Sequence, residues 1–149
     1  MNWKYNNKDI TNISEFPPNT FGFVYIITHL PSQKSYIGKK ALYHNRKIKL
    51  TKKELKLHEG VRGRKPTYKH TTKESDWKVY WGSSKPLLEI VNTEPLSNFE
   101  KVILKLAPNK KLLTYYEIKY LFEYNVLENS NKYFNNNILG SFYTKDFEI

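Results

Sequence analysis

Two tyrosines, a glycine and two lysines are gathered in the stretch Gly22 to Lys40, GFVYIITHLPSQKSYIGKK. Tyr25 and Tyr36 bring phenols, and Gly38 is followed at once by Lys39 and Lys40. A free phenol titrates near pH ~10, so it takes part in proton transfer near neutrality only beside cations. Lys39 and Lys40 follow the glycine directly, and Arg46, read from the residues alone, is one of many surface cations. Arginine also has the planar donor fork that grips a non-bridging phosphate oxygen and the charge that builds on it. Further along, Glu117 has Leu113, Thr114, Tyr120 and Leu121 as its helical neighbours, so it borders an apolar face rather than open solvent. Glu123 differs: Lys119 stands four positions earlier, the spacing of a surface ion pair.

These side chains need a scaffold, and the hairpin comes first. Phe21 to Thr28 is rich in aromatic and β-branched residues, and Ser35 to Gly38 is a shorter apolar run. Pro31, Ser32 and Gln33 between them suit a turn. With an even loop, strand partners sum to an odd number. Ile27 then lies opposite Tyr36 or Gly38, and both phenols share one face of the ribbon. A one-residue slip would separate them.

The rest of the chain reads as follows. Residues 1 to 20 form an irregular lead-in, with Pro17-Pro18 opposing ladder bonding and Trp3 and Tyr5 tucked against the body. Residues 41 to 49 suit a short helix, and Thr51 caps a second at about 52 to 58. Residues 58 to 76 read as a loop or insertion. Ser83 or Ser84 caps a helix with Pro86 in its first turn. Phe99 to Ala107 reads as a third strand, with a helix as the alternative; Val102, Leu104 and Leu106 share one face and Ile103 takes the other. Residues 111 to 128 are the best helix, with Thr114 and Glu117 at capping-box spacing and Leu113 with Ile118 as a hydrophobic staple. Tyr133 to Phe142, YFNNNILGSF, is an Asn-rich turn.

The length of 149 residues suits one domain, 1–149, with a basic loop or insertion at about 50–76. There is no cysteine, which excludes disulfides and thiolate metal sites. His44, His58 and His70 match no standard zinc spacing. No run is long and apolar enough to span a membrane, and the N-terminus lacks a signal-peptide profile, so a soluble cytoplasmic protein is expected. The abundance of Asn, Lys, Ile and Tyr points to an AT-rich genome, bacterial or phage. The net charge is +11, and residues 39 to 81, with 14 Lys or Arg against 4 Asp or Glu, hold +10 of it. Such a cluster is a solvated basic loop or a phosphate-backbone groove that gains affinity by releasing counterions. Lys47, Lys49, Arg62, Arg64, Lys65 and Lys69 are the DNA-binding candidates. Tyr43, Tyr68, Trp77, Tyr80 and Trp81, interleaved with them, stack on bases or simply pack.

The hairpin resembles the signature of the GIY-YIG nuclease superfamily: Phe23-Val24-Tyr25 as the first half, Tyr36-Ile37-Gly38 as the second. Phe23 stands where glycine is usual. The order of tyrosine, tyrosine-glycine, arginine, glutamate and asparagine extends the resemblance over most of Gly22 to Gly140. It implies an α/β (α+β) fold with a small three-stranded, mostly antiparallel sheet flanked by helices. It implies that Glu117 binds one divalent cation, Mg2+ or Mn2+. Tyr25 is then the preferred base with Tyr36 beside it, and Arg46 contacts the scissile phosphate. Leu50 stands where a helper histidine or tyrosine is common; Lys39 or Lys40 substitutes, and His44 is a further candidate. Asn135 or Asn137 hydrogen-bonds near the site. The implied reaction is hydrolysis of a phosphodiester in double-stranded DNA, a double-strand cut requiring a homodimer or two successive nicks. The alternative is a catalytically degenerate nucleic-acid-binding protein of the same fold.

Overall fold

The computed structural model describes residues 1–60 and 62–148. In chain order the elements are β1 (Trp3–Tyr5), β2 (Lys8–Ile10), β3 (Gly22–His29), β4 (Lys34–Ala41), β5 (Tyr43–Lys49), α1 (Lys52–Lys56), β6 (Tyr68–Glu74), α2 (Lys85–Thr93), β7 (Phe99–Ala107), α3 (Lys110–Glu123), β8 (Asn137–Ile138) and β9 (Phe142–Tyr143). They form two compact units: Met1–Leu42 with Asp76–Ile149, and Tyr43–Ser75.

The first unit is built on a five-stranded mixed sheet of order β2-β1-β7-β3-β4. Two strands more than the sequence suggests come from the N-terminus. Residues 3–10 are not irregular; they form a hairpin whose β1 runs parallel to β7 at the Lys4–Val102 pairing. Asn6 and Asn7, both at positive φ, make its turn. Trp3 anchors it, fully buried and donating its indole N–H to the Trp77 carbonyl at 2.6 Å.

The β3–β4 hairpin has the expected register: Tyr25 pairs with Gly38 and Ile27 with Tyr36. Strand β3 lies between β7 and β4 and is buried on both faces, which is why its sequence is a continuous apolar run instead of an alternation. Phe23, Tyr25 and Ile27 pack with Trp3, Trp77, Leu87, Phe99 and Ile103. Val24 and Ile37 pack on the other face with Leu113, Leu121 and Val126. Strand β7 is present as expected, but a bulge where β3 passes Val24 to Tyr25 shifts its parity. Leu106 therefore joins the side of Ile103, while Leu104 faces the opposite core.

Helix α2 begins as expected, with Ser84 accepting from the Leu87 N–H and a proline in the first turn. Helix α3 does not. Its cap is Asn109, which accepts from the Leu112 N–H, so Thr114 and Glu117 lie inside the helix rather than at its start. It ends at Glu123, not at 128. Asn125 at φ 52 and the bonds Asn125 N–H to Phe122 O and Val126 N–H to Leu121 O close it in a Schellman turn.

The second unit is a two-stranded antiparallel ribbon, β5 with β6, plus α1. The short helix expected over 41–49 is strand β5 instead, and much of the expected loop over 58–76 is strand β6. Thr51 caps α1 in a capping box with Glu54, as the sequence suggests.

Candidate active site

A cavity of about 830 Å³ opens beside the outer strand β4. It is lined by Tyr36, Lys39, Ser83, Thr114, Glu117 and Asn135, among others. Each side chain arrives there for a local reason. Tyr36 and Gly38 share one face of β4, and Lys39 emerges from the other face at the sheet edge. Glu117 is one turn beyond Thr114 on α3, and Lys39 Nζ donates to Thr114 Oγ1 at 2.8 Å.

The two phenols are neighbours, with ring centroids 6.3 Å apart. Gly38 makes this possible: a Cβ there would collide with the Tyr25 hydroxyl and come within 3.0 Å of the Tyr36 ring. From the other side Gly82, at φ +87, lays the Tyr80–Ser84 loop over both phenols; a Cβ on it would be 3.0 Å from Tyr36 and 3.2 Å from the Tyr25 hydroxyl. Tyr80 meets Tyr25 edge to face at 6.0 Å. Lys40 Nζ lies 4.0 Å from the Tyr80 ring centroid and pairs with Asp76. The Tyr36 and Ser83 hydroxyls are hydrogen-bonded at 3.0 Å.

Burial dominates the electrostatics. Tyr25 is 1% exposed, and that enclosure pushes its phenol well above the usual range, helped by Tyr36, Tyr80 and the Glu117 charge. Tyr36 is half-buried and is also raised by burial, but the Ser83 hydrogen bond pulls against the shift. Partial burial raises the Glu117 carboxyl, opposed by the Lys39 charge and backbone N–H. Glu117 thus acts electrostatically on both phenols although it stands on α3, which packs on the opposite face of the sheet.

Asn135 and Asn137 differ. Asn135 is buried and clamps β4: its Oδ1 accepts from the Ile37 N–H at 3.0 Å and its Nδ2 donates to the Ile37 carbonyl at 2.8 Å. Asn137 is exposed and closes the local turn, accepting from the Gly140 N–H. The departure at Phe23 has a packing reason: Phe23 is fully buried against Trp3 and Trp77.

Tyr25, Tyr36, Lys39, Lys40, Glu117, Asn135 and Asn137 thus all belong to the first unit, whereas Arg46, Lys47, Lys49, Arg62, Arg64, Lys65 and Lys69 belong to the second. Arg46 lies in β5 opposite Thr71, exposed, and not on a helix; His44 lies opposite Lys73. Lys47 Nζ lies 4.3 Å from the Tyr68 ring centroid, and Lys69 pairs with Glu54 at 2.8 Å. Sequence reasoning passed over Tyr80, Gly82 and Thr114 as site residues, and took Ser83 only as a helix cap. The available signal was Gly82, a turn glycine set between Tyr80-Trp81 and Ser83-Ser84.

Among the described residues no helix is long and apolar enough to cross a membrane. The model of the family described as "Putative endonuclease segE, GIY-YIG domain" matches residues 3–138. No curated protein and no solved structure matches the chain. The matched span runs from β1 through β8, and by it the chain belongs to the SegE-type GIY-YIG endonucleases, a family of phosphodiester hydrolases.

Proposed function

We propose that this endonuclease domain hydrolyses DNA phosphodiesters in the cavity at the β4 edge, with Glu117 holding one divalent cation. The observation that carries the reading is that Glu117 lines one cavity with Tyr36 and Lys39, from which it is remote in the chain. The donor set suits magnesium or manganese. Glu117 is a single half-buried carboxylate in a roomy space, and no cluster of three or more His, Cys, Asp or Glu occurs among the described residues. A cation that keeps most of its waters and completes its shell with substrate phosphate needs no more than that. When bound, it supplies Lewis-acid stabilisation of the phosphate and of the leaving 3′ oxygen.

The protein's own groups divide the remaining work. Tyr25 is enclosed and Tyr36 reaches the cavity, so we assign acceptance of the attacking water's proton to Tyr36 rather than to Tyr25, the base favoured by the resemblance. When Tyr36 is ionised, Ser83, hydrogen-bonded to it at 3.0 Å, is the donor of that pair and favours the phenolate. Lys39, steadied by Thr114, adds positive charge beside Glu117. Tyr25 backs Tyr36 within the phenol cluster, and Asn135 fixes the strand that carries both Tyr36 and Gly38. Arg46 is assigned to a non-bridging phosphate oxygen on the chemistry of its fork. Lys47, Lys49, Arg62, Arg64, Lys65 and Lys69 are assigned to the duplex backbone. The whole chain then acts as one nuclease domain with a basic insertion, cutting both strands as a homodimer or by two nicks.

The test is plasmid nicking with magnesium. Glu117→Ala should reduce cutting by at least ~100-fold with an unchanged circular-dichroism spectrum. Undiminished cutting in that variant, or by the wild type in EDTA, rejects the assigned site.

A further inference from the structure

The second unit is more than a source of charge. Strands β5 and β6 pair over seven positions, from Tyr43 with Glu74 to Lys49 with Tyr68. Every residue of the ribbon except Thr71 is exposed, on both faces. Neither hydrophobic core of the protein includes a residue of either strand. A two-stranded ribbon gains little stability alone, and this one buries almost nothing to repay its ordering. Its unit holds eleven Lys or Arg and three Asp or Glu, a net of +8. Charge complementarity therefore points to nucleic acid as its occupant.

Its dimensions narrow the choice. Seven residues at ~3.4 Å span roughly 24 Å, and two strands with their side chains fit a groove ~12 Å wide. That is the B-form major groove; the corresponding groove of an RNA duplex is too deep and narrow for side chains to read. The alternation of the pleat sorts the residues. Arg46, His44 and Lys73 fall on one face, and Lys69 on that face is paired with Glu54. The other face carries Asn45, Lys47, His70 and Thr72, contiguous as the pairs Asn45–Thr72 and Lys47–His70. Lys47 is held over the Tyr68 ring at 4.3 Å, so its ammonium is positioned before any ligand arrives. This face combines the types that read base edges: an amide for adenine, an ammonium for guanine, and a methyl-bearing hydroxyl for thymine.

We propose that the β5–β6 ribbon is the sequence-reading element of this nuclease and inserts into the DNA major groove with Asn45, Lys47, His70 and Thr72 on base edges. The inference rests on the DNA-endonuclease reading above and names the substrate class as a duplex with a short preferred sequence, no longer than about seven base pairs.

The test uses the full chain, bound in EDTA to a randomised DNA duplex library, with the bound fraction sequenced. The wild type should enrich a short motif. Asn45→Ala and Thr72→Ala should each flatten one or two positions of it, by roughly tenfold in preference, and leave the salt dependence of binding unchanged. Duplex binding without enrichment overturns the proposal, and so does a motif unaltered in both variants. A preference for RNA or for single strands overturns it as well. Failure to bind any nucleic acid removes the DNA reading itself, a result distinct from binding without preference.

Discussion

Lys101 occupies the least usual position of any charged residue described. It is 1% exposed, its Nζ has no hydrogen-bond partner among the described residues, and it lies 4.1 Å from the Trp3 ring centroid and 4.4 Å from that of Trp81. Indole faces favour the ammonium, but burial favours the amine, and the pKa falls to about 7. In the unfolded chain the group titrates near ~10.4. Between these values the unfolded state binds the extra proton, so stability rises with pH across that window. Urea midpoints should increase from pH 7 to 9.5 by the equivalent of a few kcal/mol, roughly, and Lys101→Met should abolish the slope. An equal slope in the variant would assign the effect elsewhere. Above about pH 10 the sign reverses. Tyr25 and Tyr36 have pKa values raised by burial, and that stabilisation is lost as pH climbs through them.

At the scale of elements, β4 is an outer strand that must hold Tyr36 and Gly38 in register; the backbone of residues 132–134 bonds to its Ser35, and Asn135 takes over at Ile37. Its amide makes the two bonds that another strand would make to Ile37. Asn135→Ala should cost about 2–4 kcal/mol in urea unfolding, because two buried backbone groups lose their partners. Asn137→Ala should stay within about 0.5 kcal/mol, as expected for an exposed turn residue. A neutral Asn135→Ala would refute the clamp. This division was not legible in the sequence, where both asparagines sit in one Asn-rich run. The hairpin β3–β4, strand β7 and the starts of α1 and α2 were legible, since apolar runs, β-branched residues and Ser or Thr caps announce them. Strands β1, β2, β5 and β6 were not. The first two are three residues long, and the last two are polar on both faces, so neither pair carries an alternation to detect. Thr114 and Glu117 mimicked a capping box because the spacing of that motif is also one helical turn; Asn109 wins because its own side chain reaches the Leu112 N–H. Tyr25 and Tyr36 were legible as a pair. Which of them meets solvent was decided by the Tyr80–Ser84 loop, remote in the chain.

At the scale of the whole molecule, most of the charge and most of the proposed catalytic groups belong to different units. The unit of Tyr43–Ser75 carries +8 of the +11, while Glu117, Tyr36 and the sheet belong to the other unit. Replacing residues 43–75 by a short Gly-Ser linker should leave a cooperatively folding protein, since both hydrophobic cores lie outside that segment. Its DNA affinity should fall, and the slope of log K against log salt should flatten by several units as phosphate contacts are lost. A truncated chain with an unaltered slope would move the binding surface to the first unit. Tyr43 and Glu74 face each other at the foot of the ribbon, so the polypeptide leaves and returns at adjoining points. An appendage with its two ends side by side can be exchanged for another, longer or shorter, without re-threading the host. On the reading proposed for the ribbon, one cutting body can in this way acquire new addresses on a genome, provided that each replacement supplies the arginine that Arg46 provides here.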